Sequence, residues 1–503
     1  MNFLDLLGDV EVLAQNGNPK ITGIEYDSRR VKPGNVFVAM HGESRDGNQF
    51  IDRAINVGAV AVVTDSDLAP QNVAWAKVRH GRRALARLSS NFYGHPAEKL
   101  AVTGITGTNG KSTTAFLVES ILKAAQRENA LIGTIEYHVA GKVLPAPHTT
   151  PESLDLNRLF HDALDSRTTE VVMEVSSHAL AQERTYGIPF DLAVFTNLTR
   201  DHLDYHGTME QYFAAKQVLF TGSGAPEPRV AVINVDDPYG VLLAQLCKSR
   251  RSEVITYGLL KADFHATKLT IGPRATEFDL VGPDDAVHIA SPMIGRVNVY
   301  NILAAAATGY ARGCQSDSIV EGVRNLARVP GRFERVDCGQ PFTVVVDYAH
   351  TDDALRNLTS LAREFVKRDG GHVITVFGCG GDRDRSKRPL MGEAAGKGSD
   401  FVVLTSDNPR SEDPLAIIND AAVGLQRSGT RYTTESDRRA AIQLALSKAR
   451  SSDIVLIAGK GHEQVQISRA GTAPFDDRQI ATEALRHLGY DCSSAAARAG
   501  KTA

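Results

Sequence analysis

The segment from Gly104 to Thr114 has the residue types of a loop that binds the phosphates of a nucleotide, Gly-Ile-Thr-Gly-Thr-Asn-Gly-Lys-Ser-Thr-Thr. Its glycines let backbone N–H groups face a polyphosphate, Lys111 can reach the terminal phosphates, and the Ser112 hydroxyl can bind Mg²⁺. The spacing departs by one residue from G-x-x-x-x-G-K-[ST], because Ile105 stands where the first glycine belongs. The alternative is a glycine-rich turn without a ligand. The Lys-Ser ending and the apolar run before the loop favour a site for ATP.

Two polar clusters follow apolar runs further along the chain. Glu174 begins Glu-Val-Ser-Ser-His, and His202 lies in Thr-Asn-Leu-Thr-Arg-Asp-His-Leu-Asp-Tyr-His. A buried acid needs a compensating partner, and a metal ion is one. The histidines of these segments would suit zinc, but no cysteine accompanies them and Ser112 supplies an oxygen ligand, so magnesium is favoured. The spacing around Lys216, taken alone, predicts an exposed helical lysine.

Three glycine-rich or charged loops follow apolar runs in the last third of the chain. They are Gly378–Arg385, Asp407-Asn408-Pro409-Arg410 and Gly459–Glu463. Arg383 and Arg410 could each bind a carboxylate in a bidentate manner, and Glu463 could pair with an ammonium group. The alternative is a surface network of arginine and aspartate. Together the loops favour a site for an amino acid.

The elements that must position these residues indicate an α/β fold in three domains. We expect a first domain at 1–98, a central domain at 99–329 with a doubly wound parallel sheet, and a Rossmann-like domain at 330–503. Apolar runs such as 343–347, 373–377, 401–404 and 454–458 predict strands buried on both faces. The tail after about Asp491 is predicted to be frayed.

Composition excludes several classes of protein. The 503 residues exceed a single core, and a net charge of −3 provides no electrostatic surface for nucleic acid. No run approaches the roughly 18 apolar residues that span a bilayer, and the N-terminus lacks the pattern of a signal peptide, so we expect a cytoplasmic protein without membrane insertion. The five cysteines show neither metal-ligand spacing nor a paired framework, which is typical of a reducing compartment.

These motifs, from Asp27-Ser28-Arg29 to about Asp477, closely resemble those of the Mur ligases over nearly the whole chain. The resemblance implies an N-terminal domain that holds the UDP end of a substrate, a central ATPase domain and a C-terminal domain that admits an amino acid. Asp407-Asn408-Pro409-Arg410 is similar to the signature of members that add meso-2,6-diaminopimelate. The resemblance therefore implies ATP-dependent ligation of that amino acid to UDP-N-acetylmuramoyl-L-Ala-D-Glu through an acyl phosphate. We expect a monomeric enzyme of cytoplasmic peptidoglycan precursor synthesis.

The resemblance also implies roles for individual residues. Lys111, Lys216, Glu174 and His202 would be catalytic; Ser112, Glu174, His202 and Lys216, the last modified to a carbamate, would bind Mg²⁺. ATP would be bound by Gly107, Thr108, Asn109, Gly110, Lys111, Ser112, Thr113, Asn298, Asn301, Arg332 and Asp347. The UDP-linked substrate would be bound by Ser28, Thr149, Thr150, Ser176, Gln182 and Arg184. Diaminopimelate would be bound by Arg383, Asp407, Asn408, Pro409, Arg410, Gly459 and Glu463.

Three alternatives stay open. An L-lysine-adding ligase of the same family is disfavoured by Arg410, because lysine lacks the second carboxylate that this residue would bind. A folylpolyglutamate synthase would not need the N-terminal domain with Ser28. An ATP-binding regulator without ligase activity is disfavoured by the complete set of Lys111, Glu174, His202 and Lys216.

Overall fold

The computed structural model describes residues 1–42, 45–67, 70–272 and 275–492, apart from the side chains of residues 368 and 369. Most of the tail that was predicted to be frayed lies outside these residues. Throughout the described ranges, no helix combines the length and apolar character needed to cross a membrane.

The first part of the chain builds a small sheet. Its elements are α1 (Phe3–Leu7), β1 (Val12–Asn16), β2 (Gly23–Glu25), β3 (Asn35–Ala39), α2 (Ile51–Asn56), β4 (Ala61–Thr64), β5 (Ala74–Val78) and α3 (Gly81–Phe92), with 3₁₀ turns at Gly47–Phe50 and Pro96–Lys99. The five-stranded sheet has the order β1-β5-β4-β3-β2. Only β1 and β5 pair in antiparallel fashion; the other neighbours are parallel.

The central part carries the phosphate loop and the polar clusters. Its elements are β6 (Ala101–Thr106), α4 (Lys111–Ala124), β7 (Asn129–Ile132), β8 (Glu136–Val139), β9 (Lys142–Pro145), α5 (Ser153–Asp165), β10 (Glu170–Glu174), α6 (Ser177–Ala181), β11 (Phe190–Phe195), α7 (Leu203–His206), α8 (Met209–Thr221), β12 (Val230–Asn234), α9 (Pro238–Lys248), β13 (Glu253–Gly258), β14 (Phe264–Ile271), β15 (Thr276–Val281), β16 (Ala286–Ser291), α10 (Arg296–Ala311) and α11 (Ser316–Asn325). The eleven-stranded sheet has the order β16-β15-β14-β13-β12-β11-β6-β10-β7-β8-β9. Strands β7, β10, β6, β11, β12 and β13 are parallel.

The last part repeats the α/β plan. Its elements are β17 (Glu334–Arg335), β18 (Thr343–Asp347), α12 (Asp352–Asp369), β19 (Val373–Cys379), α13 (Lys387–Gly398), β20 (Phe401–Ser406), α14 (Pro414–Ser428), β21 (Arg431–Glu435), α15 (Arg438–Lys448), β22 (Ile454–Ala458), β23 (Val465–Ser468), β24 (Gly471–Pro474) and α16 (Asp477–His487). The six-stranded sheet has the order β17-β18-β22-β19-β20-β21, and β23 pairs with β24 as a separate hairpin. Hereafter, the N-terminal, central and C-terminal parts are the regions built around these three sheets.

The predicted α/β class is confirmed, and the apolar runs explain why. Every residue of β10, β12 and β22 is buried, since helices cover both faces of these parallel strands. The carboxyl ends of parallel strands meet at one edge of a sheet, where open α/β folds bind ligands. The loops after β6, β10 and β11 therefore meet at one edge, as do those after β19, β20 and β22. The exact domain bounds stay a prediction.

One expectation about the cysteines is wrong. Cys338 and Cys492 form a disulfide, whereas Cys247, Cys314 and Cys379 are free and buried. The two bonded residues are 154 positions apart, and they meet because the segment with Tyr490 and Cys492 packs beside β18. Spacing along the sequence holds no signal for such a pair.

Candidate active site

The phosphate loop is the turn between β6 and α4, and its shape requires glycine. Gly107 has φ +146°, and a Cβ there would lie 1.9 Å from the Thr196 hydroxyl oxygen. Gly110 has φ +89°, and a Cβ there would lie 2.5 Å from Oδ1 of Asn301. Only glycine fits at both positions. The loop is consequently packed against the segment after β11 and against α10.

Two lysines share one carbonyl oxygen of this loop. Nζ of Lys111 donates to the carbonyls of Gly107 (3.0 Å) and Thr108 (2.9 Å), and Nζ of Lys216 donates to Gly107 (2.9 Å). The exposed lysine expected from spacing alone is wrong, because Lys216 is 1% exposed on the inner side of α8. Burial, and next the charge of Lys111, hold the pKa of Lys216 well below its usual value. Burial also lowers the pKa of Lys111.

Glu174 ends β10 beside the phosphate loop and is 1% exposed. Its Oε2 accepts from the hydroxyls of Ser112 and Thr134, both at 3.0 Å, and its Oε1 accepts from the backbone N–H of Thr134 at 2.7 Å. A carboxylate next to two hydroxyls is an all-oxygen donor set of the kind that Mg²⁺ prefers. Ser112 and Glu174 therefore fit the predicted metal site.

His202 lies after β11 in a left-handed conformation, with φ +53°. Its Nε2 is 3.3 Å from Oδ2 of Asp201. Burial strongly lowers the pKa of His202, and the charge of Lys216 is among the smaller causes, so the imidazole is neutral and able to bind a metal. Among the residues described, no three or more His, Cys, Asp or Glu side chains form a metal cluster; the candidate set instead mixes serine, glutamate, histidine and lysine.

Five of the six residues predicted for the UDP-linked substrate form one connected group beside Glu174. The Thr150 hydroxyl donates to the backbone carbonyl of Glu174 (2.9 Å) and accepts from the backbone N–H of Ser176 (3.0 Å). Arg184 donates to the carbonyl of Thr150 (2.9 Å) and to the side chain of Gln182 (2.7 Å). The Thr149 hydroxyl oxygen lies 3.1 Å from the Thr134 hydroxyl oxygen, within hydrogen-bond distance. The sixth residue, Ser28, is buried in the N-terminal part on the loop after β2.

Several of the residues predicted to bind ATP line a cavity of about 200 Å³ beside α4. Asn298, Arg332 and Thr113 line it, and Asn301 donates to Oδ1 of Asn298 at 3.1 Å. Arg332 also donates to the Ser112 hydroxyl at 3.2 Å. Asp347 orders the chain next to it, because its carboxylate accepts from the backbone N–H of Phe333 (2.7 Å). The cavity thus has walls from both the central and the C-terminal parts.

Arg383 and Arg410 lie on neighbouring loops at the edge of the C-terminal sheet. Nη1 of Arg410 donates to the carbonyl of Gly381 at 2.8 Å, whereas Arg383 is exposed. Burial, and next the charge of Arg383, lower the pKa of Arg410. Two guanidinium groups that destabilise each other's charge make a favourable place for a carboxylate.

The other loop residues form a network that sequence reasoning did not anticipate. Lys460 is fully buried, and its Nζ donates to the side chains of Asn408 and Glu463, both at 3.0 Å. The ammonium partner of Glu463 is thus a lysine of this chain. Oδ2 of Asp407 is buried without a hydrogen-bond partner among the described residues, and it lies 2.6 Å from where a Cβ of Gly459 would be.

Arg438 stabilises these loops at the ends of β20 and β22, and sequence reasoning did not identify it. It is 1% exposed and binds the carboxylate of Asp477 through two hydrogen bonds of 2.8 and 2.6 Å. It also donates to the carbonyl of Ala458 at 3.0 Å, at the end of β22. An arginine in the sequence Asp-Arg-Arg at a helix start normally reads as exposed, so no local signal marks it.

Contacts between the central and C-terminal parts bring the two sets of loops together. Besides Arg332 and Ser112, Asn109 of the phosphate loop donates to Oδ2 of Asp353 at 3.1 Å. Nζ of Lys387 lies 3.5 Å from Oδ1 of Asp201. These contacts hold the phosphate loop and the segment that carries His202 against the C-terminal part.

Family models match three stretches of the chain. A Mur ligase family catalytic domain matches residues 20–93, a Mur ligase middle domain matches 105–309, and a Mur ligase glutamate ligase domain matches 331–461.

Curated relatives and a solved structure match nearly the full length. A UDP-N-acetylmuramoyl-L-alanyl-D-glutamate--2,6-diaminopimelate ligase of Solibacter usitatus is 54% identical over 97% of this chain and 99% of its own length. One of the same name from Geobacter metallireducens is 46% identical over 93% and 95%. A solved structure of a ligase with this name has a TM-score of 0.67 at 34% identity, over 97% of this chain and 99% of its own.

Proposed function

This chain belongs to the Mur ligase family, and on that premise we propose that it joins meso-2,6-diaminopimelate to the D-glutamyl residue of UDP-N-acetylmuramoyl-L-Ala-D-Glu at the expense of ATP. The observation that carries the proposal is the similarity, over almost all of both chains, to curated enzymes that bear this activity in their names. The contacts between the central and C-terminal parts support the proposal, because phosphate, acceptor and amine must meet in such a reaction.

The proposed reaction has two steps. The γ-carboxylate of the D-glutamyl residue attacks the γ-phosphorus of ATP, ADP leaves, and an acyl phosphate forms. The diaminopimelate amine then attacks the acyl carbon, loses a proton and expels inorganic phosphate. Phosphorylation is needed because a carboxylate alone is a poor acylating agent.

The phosphate loop supports the first step. Lys111 and the backbone N–H groups of the loop would bind the phosphates, and Lys111 would exchange its present contacts with Gly107 and Thr108 for phosphate oxygens. Asn298 and Arg332 line the cavity that we assign to adenosine. Asn301 bonds to Asn298, and Asp347 bonds to the backbone of Phe333, which also lines the cavity. The group of Thr149, Thr150, Ser176, Gln182 and Arg184 would orient the dipeptide, with Ser28 toward the UDP end.

We propose that Ser112, Glu174, His202 and a modified Lys216 hold Mg²⁺. Bound Mg²⁺ would neutralise charge that develops on the transferred phosphoryl group. The donor chemistry fits, since Glu174 and Ser112 are in contact and His202 is neutral. Lys216 fits only as a carbamate, since an ammonium group is no ligand.

The environment of Lys216 supports that modification. Burial and the nearby charge of Lys111 hold the pKa of its amine well below the usual value, which favours the neutral form that reacts with CO₂. A neutral amine reacts with CO₂ to give a carbamate and one proton, which converts a nitrogen donor into an anionic oxygen ligand suited to a hard cation.

Arg410 and Arg383 are our candidates for selecting the amino acid. Diaminopimelate has a second carboxylate that L-lysine lacks, and Arg410 would bind it. Asp407, Asn408, Pro409, Gly459 and Glu463 would hold the rest of the amino acid, with Lys460 fixing Asn408 and Glu463 in place.

We also propose three domains with bounds near 98 and 329, a monomeric state and a cytoplasmic location, where UDP-linked precursors are made. Sedimentation with and without substrates tests the monomer.

The experiment that tests the function measures phosphate release from ATP with UDP-N-acetylmuramoyl-L-Ala-D-Glu, comparing added meso-diaminopimelate with added L-lysine. Turnover with diaminopimelate alone supports the proposal. Turnover with lysine would assign the lysine-adding reaction instead, and ATP binding without turnover would leave an ATP-binding regulator. Phosphate release that instead requires an added folate and glutamate would indicate a folylpolyglutamate synthase.

A further inference from the structure

Arg200 reaches from the central part to the C-terminal part. It lies on the segment between β11 and α7, two residues before His202. Its Nη1 donates to the Ser386 hydroxyl at 3.1 Å and lies 3.7 Å from Oδ2 of Asp384. Asp384 adjoins Arg383 on the loop after β19. The contact therefore joins the segment that carries a candidate metal ligand to the loop that carries a candidate amino-acid ligand.

This contact is incomplete on both sides. Nε and Nη2 of Arg200 and Oδ2 of Asp384 are buried, and none of them has a hydrogen-bond partner among the described residues. The other carboxylate oxygen of Asp384 is already used, since it accepts from the backbone N–H of Ser386 at 2.8 Å. Buried donors and acceptors without partners are costly, and a bidentate arginine–carboxylate pair would satisfy both groups. The present separation of 3.7 Å is longer than the roughly 2.8 Å of such a pair, so the two groups must move closer together to form it.

We propose that Arg200 is a positioning residue that completes a bidentate ion pair with Asp384 when substrates bind, and so holds the C-terminal part against the central part during the reaction. This inference rests on the proposed function. In this arrangement the Arg383 loop is held against the central part, and water is kept from the acyl phosphate. Asp201 follows Arg200, and Lys387 follows Ser386. These two residues form a second contact between the parts, in which the C-terminal part supplies the positive charge.

The first test compares wild type with Arg200→Ala, Asp384→Asn and the double variant, using ATP, Mg²⁺ and both substrates. We expect Arg200→Ala to lower kcat/KM for diaminopimelate about tenfold, the scale of a charge-assisted hydrogen bond, while KM for ATP changes less than twofold. Phosphate released per amide formed should rise above one, because an unprotected acyl phosphate is hydrolysed. The double variant should be no worse than Arg200→Ala, since the two residues act as one pair.

The charge-exchanged variant Arg200→Asp/Asp384→Arg should regain part of the lost coupling between phosphate release and amide formation. Arg363→Ala is the matched control, because Arg363 pairs with Asp400 at 2.5 Å within the C-terminal part and is similarly exposed. It should behave as wild type. Thermal unfolding of every variant shows whether a loss reflects misfolding, and Arg200→Lys replaces Arg200→Ala if that variant does not fold.

A coupling ratio of one in Arg200→Ala, or equal increases in KM for ATP and diaminopimelate, would overturn the proposal. A loss of kcat/KM in the double variant equal to the product of the two single-variant losses would also overturn the proposal. Small-angle scattering with Mg²⁺ and a non-hydrolysable ATP analogue separates this inference from the function itself. If wild type forms no amide with diaminopimelate, the proposed function fails, and Arg200 is then judged by whether its alanine variant loses the compaction that the analogue causes in wild type.

Discussion

Replacing Arg410 by alanine tests the proposed selection of the amino acid. The guanidinium of Arg410 is held by the carbonyl of Gly381 at 2.8 Å, and burial together with Arg383 lowers its pKa, so an anionic partner is strongly favoured. Hydrogen bonds to charged groups contribute about 1.5 to 3 kcal/mol, which corresponds to roughly 10- to 150-fold in binding. Because Arg383 remains nearby, we expect KM for diaminopimelate to rise by about 10- to 50-fold.

The assay measures KM for diaminopimelate, L-lysine and ATP in wild type and in Arg410→Ala. KM for ATP should stay within about twofold, and the preference for diaminopimelate over lysine should fall by the same factor as the affinity for diaminopimelate. Arg385→Ala is the matched control, because Arg385 is on the same loop as Arg383 but pairs with Asp420 at 3.2 Å. Equal weakening of ATP and diaminopimelate, or an unchanged preference over lysine, would refute the assignment.

The remaining predictions concern one modification and two structural ion pairs. Lys216→Arg should abolish ligation, because a guanidinium does not take up CO₂, and ¹³C-bicarbonate should give a carbamate NMR signal in wild type alone; a signal in the variant would place the carbamate elsewhere. His138 lies 2.6 Å from Glu119 and 2.9 Å from Glu136, which raises its pKa, so its stabilisation is full below the unfolded pKa and is lost as pH rises through the folded value. Urea unfolding should therefore separate wild type from His138→Gln more at pH 5.5 than at pH 8.5; a gap that widens with pH would contradict this sign. Arg438→Met should destabilise the protein by about 3 to 5 kcal/mol in urea unfolding, because it leaves the fully buried carboxylate of Asp477 unpaired; a loss below 1 kcal/mol would contradict it.

Much of the scaffold was predictable from the sequence, for a simple reason. Strands such as β18, β20 and β22 are buried on both faces, so their apolar runs are continuous and stand out from their surroundings. The phosphate loop was predictable too, because its two glycines and Lys111 are adjacent in the chain and their chemistry is local. Once the strands were predicted, the positions of the loops at their ends were predicted as well.

Features that depend on contacts between distant elements were not predictable from the residues alone. The burial of Lys216 follows from how α8 packs on the loop after β6, and its helical neighbours do not encode this packing. Lys460, Arg438 and the disulfide partners Cys338 and Cys492 are similar cases. Each of them acquires its partner only through tertiary packing. A local sequence pattern therefore predicts exposed charged residues and unpaired cysteines.

The cavity assigned to adenosine has a kinetic consequence. One side is formed by Thr113 and Asn298 of the central part, and the other by Arg332 and Phe333 at the start of the C-terminal part. Since Arg332 is also bonded to Ser112, we expect ADP to leave freely only after the two parts have moved apart. The rate at which the enzyme completes successive rounds of catalysis would then be governed by this opening, and it should respond to solvent viscosity even when the chemical steps do not.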